Sequence, residues 1–467
     1  MEALVQSPRN RRDGTWHHVN NARILGFSFA LLVVLIAVAL VPAVTPSLDW
    51  LGPQLLSLVV ALQLVLLPSA PQGDIKRILA IYQPLAIAAL LPAAWMLLQI
   101  VPVPLGSIDH PAWRSAAVAL TPTGSGAVSG FISVGHVSLD LGYTLRGLFG
   151  YLSLMTLAFA TSVLTRNRDR AATILVALCT VTTLGAVELL LFGDTNVFAT
   201  GHPLHDPTAR LVALAAFGTI LNAAWMVRAA ERVAAGGWQP PQWRSTITTM
   251  GPGTVGAGIC LMALIDAATF DILIATAFGL TVVGVVVLLR RLSLGRWSIA
   301  TVGVAVLVAW GGVVALRFAA NPEVSPLLRF TQLESADADA GTLRMIADAD
   351  WKGSGVGSYA ALAAIYRDTA GTPGPAAVNT IVSMVLEWGR AGLVIVMALL
   401  LHLMGVLFRG ALSRNRDAFY AASAAGCLVT AFCEAYCDPS FTDVRVQMLT
   451  AIIVGLGLAQ TRGLHAG

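Results

Sequence analysis

Long apolar runs decide what this chain can become. Stretches able to cross roughly 30 Å of hydrocarbon fall near residues 24–44, 51–69, 78–101, 144–164, 171–192 and 209–228, and again near 251–268, 272–290, 298–316, 386–408, 418–437 and 444–461. In a bilayer every backbone polar group must be satisfied inside its own segment. Runs of this length and apolarity predict membrane-spanning helices. The expected fold class is therefore all-α: a polytopic membrane helix bundle with about 12 spans. Composition agrees, with only 12% of residues charged against about a quarter in soluble domains. The stretch around 251–290 is read as a pair of spans, with Asp266 and Asp271 marking a very short turn.

Basic residues set the orientation, because cytoplasmic loops retain Lys and Arg. With the N-terminus inside, the inner segments hold 19 of the 29 basic residues, and every inner loop carries at least two. The domain reading follows: a cytoplasmic tail at 1–23, a single membrane domain over 24–462, and a short cytoplasmic tail at 463–467. The first apolar run follows Arg9, Arg11, Arg12 and Arg23. It is too long for a signal-peptide core and has no small-residue cleavage site, so it reads as the first span. Two long polar segments, 102–143 and 317–385, fall outside. They contain enough apolar residues to form short helices and loops at the membrane surface. Sidedness has a direct test in intact cells lacking the native cysteines. A cysteine at Ser335 is expected to react with an impermeant maleimide, and one at Pro240 is expected to be protected. The reverse pattern overturns the orientation.

The dispersed basic residues exclude a nucleic-acid-binding face. Five cysteines lie within apolar runs, where they read as small packing residues rather than a disulfide framework. Five of the ten outer basic residues lie in or beside the second outer segment: Arg317, Arg329, Arg344, Lys352 and Arg367. The plain reading is solubility and contact with lipid headgroups. The sharper one is an anion site, since a guanidinium presents a planar fork of donors to phosphate. Gly353-Ser354-Gly355-Val356-Gly357 lies between two amphipathic stretches, and a tight turn there would bring Arg344 towards Arg367. With no strand before it, the cluster is not a nucleotide-binding fingerprint. His202-Pro203-Leu204-His205-Asp206 forms a short outer loop. It reads as a polar turn, as a source of a general base, or less fittingly as a metal site, for which further ligands are missing. Glu188, Asp266, Glu387 and Glu434 fall within or at the ends of spans, where carboxylates are costly and often functional.

Four stretches together resemble the bacterial O-antigen ligase and polymerase family of lipid-linked polysaccharide glycosyltransferases. They are His110-Pro111-Ala112-Trp113 with Val137-Ser138-Leu139-Asp140; Leu343-Arg344 through Trp351-Lys352-Gly353 to Tyr359; Asn379 through Leu386-Glu387-Trp388-Gly389 to Leu393; and Thr442-Asp443-Val444-Arg445-Val446-Gln447 running to Gln460. The resemblance implies a GT-C-like helix bundle in the bacterial inner membrane. It implies transfer of a glycan from an undecaprenyl-diphosphate carrier to a sugar hydroxyl, on a lipid core or a second lipid-linked glycan. Transfer would occur on the periplasmic face, with inversion, without metal and without a cofactor. Partners would be those substrates, the bilayer and other polysaccharide-assembly proteins. Arginines would hold the diphosphate and a histidine before the tenth span would act as base.

The chain departs from that pattern at two places. Val378 stands where the family has histidine, and Thr269-Phe270-Asp271 where it has an arginine. If the roles have moved, His202, His205 or Glu387 would be the base. Arg344, Arg367, Lys352 and Arg210 would bind the diphosphate. The alternatives are a catalytically silent partner in surface-polysaccharide assembly and a flippase-type transporter. No internal repeat of the kind transporters use is visible.

Overall fold

The computed structural model describes residues 26–34, 36–37, 51–66, 72–105, 107–120, 134–193, 207–235, 243–291, 305–306, 308–316, 319, 327–328, 336–366, 379–413 and 417–461. The chain is an all-α bundle. The longer helices are α1 (Leu51–Leu66), α2 (Gln72–Ile100), α4 (Leu141–Leu164), α5 (Arg168–Phe192), α6 (Pro207–Ala235), α7 (Trp243–Ala267), α8 (Phe270–Arg291), α11 (Thr380–Ser413), α12 (Ala418–Glu434) and α13 (Val444–Ala459). Short elements join them at one end: α3 (Pro111–Leu120), α9 (Ala336–Ala347), α10 (Tyr359–Ile365) and a two-residue antiparallel pairing of β1 (Val103–Pro104) with β2 (Val134–Gly135). Among the described residues, seven helices are long and apolar enough to cross a membrane, and α12 and α13 are shorter apolar helices. Helical turns also occupy 26–34 and 308–316, inside two further apolar runs.

Local chemistry starts these helices where the hydropathy rises. Asp140 accepts from the Tyr143 amide at 3.0 Å at the head of α4, and Asn167 accepts from the Asp169 amide at 2.8 Å at the head of α5. Asp443 does the same for Arg445 at the head of α13, at 2.7 Å. Each satisfies one of the orphan amides of a first helical turn. The reading of 251–290 as two helices joined by a very short turn matches the structure, where α7 ends at Ala267 and α8 starts at Phe270. The expected span 386–408 is longer, over Thr380–Ser413, and it is broken: Gly389 lies inside it at φ 72 and ψ 174.

α6 is the most enclosed of the seven long apolar helices, packed on α5, α7, α8 and α12. Because lipid is as apolar as leucine, such helices associate through close van der Waals contact between small residues. α8 and α12 show it: a Cβ on Gly279 would sit 2.7 Å from the Gly426 carbonyl. The outward faces carry exposed Leu90, Leu91, Ile265, Val394 and Leu401, as a lipid-facing surface requires.

The two ends of the bundle differ. One carries Arg168, Arg228 and Arg290 of the expected inner loops. There Arg168 pairs with Asp417 at 3.0 Å and Arg290 with Glu231 at 3.0 Å, and the Arg228 guanidinium lies 5.1 Å from the Trp225 ring. The opposite end gathers α3, α9, α10, the strand pair and the 351–358 turn.

Candidate active site

The site begins with the break in α11. A helix interrupted at Gly389 leaves the carbonyls of Leu386, Glu387 and Trp388 without their normal intrahelical donors. At membrane depth that is tolerable only if the protein supplies replacements. Ser354 and Gly355 donate their amides to the carbonyls of Leu386 and Glu387, both at 2.9 Å. Trp95 Nε1 donates to the Trp388 carbonyl at 2.8 Å, and Gln99 Nε2 to the carbonyls of Lys352 and Glu387 at 3.0 and 3.1 Å. In return the Ala391 amide donates to the Trp351 carbonyl at 3.1 Å. The 351–357 turn is thereby laced into the gap in the helix.

Glycine is what permits this approach. Gly353 (φ 75) and Gly389 (φ 72) face one another, and a Cβ on either would lie 2.3–2.4 Å from backbone atoms of the other segment. Glu387 accepts from the Tyr359 amide through Oε1 at 3.0 Å. It thus caps α10 and ties that helix to α11. Of the sequence candidates for a base, Glu387 is accordingly employed in holding the turn.

The 137–140 segment docks on this turn. Leu139 donates to the Ser354 carbonyl at 2.7 Å and Ser138 to the Gln99 carbonyl at 3.0 Å. Lys352 reaches across: Nζ donates to the Ile108 carbonyl at 2.9 Å and pairs with Asp350 at 3.0 Å. Beside it stand two histidines. The His110 amide donates to the His136 carbonyl at 2.8 Å. His110 Nδ1 accepts from the Ala112 amide at 3.2 Å, and His136 Nδ1 bonds the Ile100 carbonyl at 2.8 Å. The His136 ring meets Trp113 edge to face, with centroids 5.6 Å apart, and Trp113 Nε1 donates to the Ser138 carbonyl at 3.0 Å. Burial, then the Lys352 charge, hold the His110 imidazole below the usual histidine range.

Arg344 lies on the exposed face of α9, its Nε donating to the Ala340 carbonyl at 3.3 Å. The Tyr366 hydroxyl donates to Asp348 at 2.7 Å, and Arg344 is close enough to act on that phenol electrostatically. Burial first and then the Asp348 bond push Tyr366 up to about 12. Arg210 sits at the head of α6, only 4% exposed, with Nη1 3.4 Å from Asp443 Oδ2. His202, His205, Arg367 and Val378 lie outside the described residues. Glu434 is fully buried, and neither carboxylate oxygen has a hydrogen-bond partner among the described residues.

Three contributors escape a reading of the sequence. Gln99 and Trp95 sit in an apolar run and serve as donors to the broken helix. The one signal for Gln99 is an amide among hydrophobes, which must find partners when buried. Arg445 is 3% exposed, a second buried arginine, whose amide donates to Asp443. The stretches that carried the resemblance meet here. Segments 137–140, 351–358 and 386–391 are hydrogen-bonded to one another, and Thr380 and Asn379 bond the carbonyls of Asp438 and Tyr436, just before the fourth. Comparison of the sequence with protein-family models finds no match, and comparison with curated proteins finds no significant one.

Proposed function

We propose that the chain is a bacterial inner-membrane glycosyltransferase of the O-antigen ligase or polymerase type. It would move a glycan from an undecaprenyl-diphosphate carrier to a sugar hydroxyl at the periplasmic face. The observation that carries this reading is the convergence just described. Segments far apart in the sequence build one polar, cation-bearing surface at the end of the bundle away from the basic loops, on a turn held by a broken helix. Apolar spans would hold the lipid carrier, and Lys352 and Arg344 would face its diphosphate. The full reading has about 12 spans in a GT-C-like arrangement, requires no metal or cofactor, and includes other polysaccharide-assembly proteins as partners. A flippase fits less well. Transporters place paired broken helices near the midplane, whereas Gly389 is the only residue of positive φ inside a described helix, and it lies towards one end.

Catalysis of this reaction rests on stabilising charge as it develops on the departing diphosphate. Removing one charged contact of that kind costs about 2–4 kcal/mol, or roughly 30- to 1,000-fold in rate. Arg344→Ala is expected to fall in that range. Arg344→Lys is expected to recover only part, because the two-pronged contact is lost. Wild-type polysaccharide from Arg344→Ala at equal expression would remove Arg344 from the site.

One observation favours a second reading, a silent partner in the same pathway. Glu387 is spent on capping α10 and Arg210 is paired with Asp443. Deleting the gene and resolving surface polysaccharide on gels separates the readings. Loss of long chains on the lipid core, with carrier-linked chains accumulating, identifies a ligase. Single-repeat products identify a polymerase. A defective deletion, with wild-type protein that transfers nothing between a confirmed donor and a confirmed acceptor, identifies the silent partner.

A further inference from the structure

If the chain is a transferase as proposed above, something must take the proton from the acceptor hydroxyl, and Val378 has no group for it. The two histidines of the first outer segment differ in a way that only their hydrogen bonds reveal. A carbonyl oxygen has no proton to give, so the ring nitrogen facing it must be the donor. His136 Nδ1 lies 2.8 Å from the Ile100 carbonyl. Its neutral ring therefore carries the proton on Nδ1 and a lone pair on Nε2, which accepts from nothing among the described residues. His110 is the opposite case. Its Nδ1 accepts the Ala112 amide at 3.2 Å, so the proton of its neutral ring is on Nε2, where it can only donate. Neither ring is free to exchange roles without losing its bond.

The surroundings suit the assignment. His136 follows β2 directly, and its carbonyl is fixed by the His110 amide. Its ring is half-buried against Trp113, which Ser138 holds in turn. The segment 108–110 that receives the Lys352 ammonium at Ile108 also makes the backbone bond to His136. A base and a cation are thus anchored to the same three residues. We infer that His136 is the general base of the transfer, accepting the acceptor proton at Nε2. In the step, the acceptor oxygen forms a bond to the anomeric carbon as its proton passes to Nε2. The bond from that carbon to the diphosphate oxygen breaks, and its electron pair leaves with the diphosphate. The imidazolium then returns its proton to solvent.

The decisive variant is His136→Asn. An asparagine amide can still donate to the Ile100 carbonyl but cannot accept a proton. The full-length variant is expressed in cells lacking the chromosomal copy, with surface polysaccharide and carrier-linked chains measured. Transfer is then timed in membrane vesicles from those cells, which contain their own donor and acceptor. The expected result is normal accumulation and melting of the protein with transfer slowed about 10²- to 10⁴-fold. For His136→Ala, added imidazole is expected to restore part of the rate, which it would not do for a purely structural loss. His110→Asn, which preserves the cap on Ala112, is expected to stay within about threefold of wild type. Transfer by His136→Asn at near wild-type rate, or loss in His110→Asn instead, overturns the assignment and leaves the transferase reading standing. Should His136→Asn fail to accumulate, the imidazole response of His136→Ala decides alone, and no response overturns the assignment. Wild-type vesicles that transfer nothing overturn the transferase reading and this inference with it.

Discussion

Gly389→Ala is expected to destabilise the protein severely. At φ 72 and ψ 174 the residue occupies backbone space that side chains rarely tolerate, worth about 1–3 kcal/mol of strain. The added Cβ would also lie 2.3 Å from the Trp351 carbonyl and 2.4 Å from the Gly353 amide nitrogen. Both are backbone atoms, so no rotamer change relieves the clash. The segments must separate, and the bonds from Ser354, Gly355 and Ala391 across the gap go with them. Each buried group left unpaired adds about 1–3 kcal/mol, so the total exceeds roughly 4 kcal/mol. Purification in detergent should give little monodisperse protein, melting well below wild type. Gly405→Ala is the control. It lies in the same helix with nothing within 4 Å of its added Cβ, and replacing a helical glycine should be neutral or stabilising by up to about 1 kcal/mol. If Gly389→Ala melts within about 2 °C of wild type, the wedged-turn account is wrong.

Arg210→Met carries the second large effect. The guanidinium is almost fully enclosed and faces Asp443, 3.4 Å away. Removing one member of a buried pair leaves the other charge uncompensated, at a cost of about 3–5 kcal/mol. Adding Asp443→Asn removes that charge while its side-chain oxygen can still cap α13 at the Arg445 amide. The double variant should therefore regain roughly half the loss or more. This cycle separates structure from chemistry. A stable double variant that no longer makes polysaccharide assigns Arg210 to the substrate as well as to Asp443. A stable and active one confines it to the fold, and an undiminished melting temperature in the single variant refutes the buried pair itself.

Some of the site was legible in advance and some was not. The glycine cluster at 353–357 announces a turn, since residues without Cβ are needed for positive φ, and the structure gives Gly353, Gly355 and Gly357 that conformation. The amphipathic stretches beside it announce α9 and α10. Nothing in the sequence tells that Glu387 caps α10, because its partner Tyr359 is 28 positions away. Nor does it tell that Gln99 serves Lys352, 253 positions away. The outer histidines look equivalent in one dimension. The Ile100 carbonyl and the Ala112 amide make them opposites.

What the sequence determined by itself is the solvent of each segment. Hydropathy over some twenty residues marks a helix apolar enough to cross a membrane, and the excess of arginine in alternate loops sets its expected orientation, because both quantities are sums of independent residue preferences. The all-α bundle, its apolar exterior and its polar end follow from those sums. Only the tertiary structure decided which carbonyls of the broken helix receive which donors, which charges are neutralised in place, and which histidine holds its lone pair on Nε2. A hydrogen bond needs two specific atoms within about 3 Å of each other. That distance is set by packing among helices remote in sequence, and no run of residues along the chain encodes it alone.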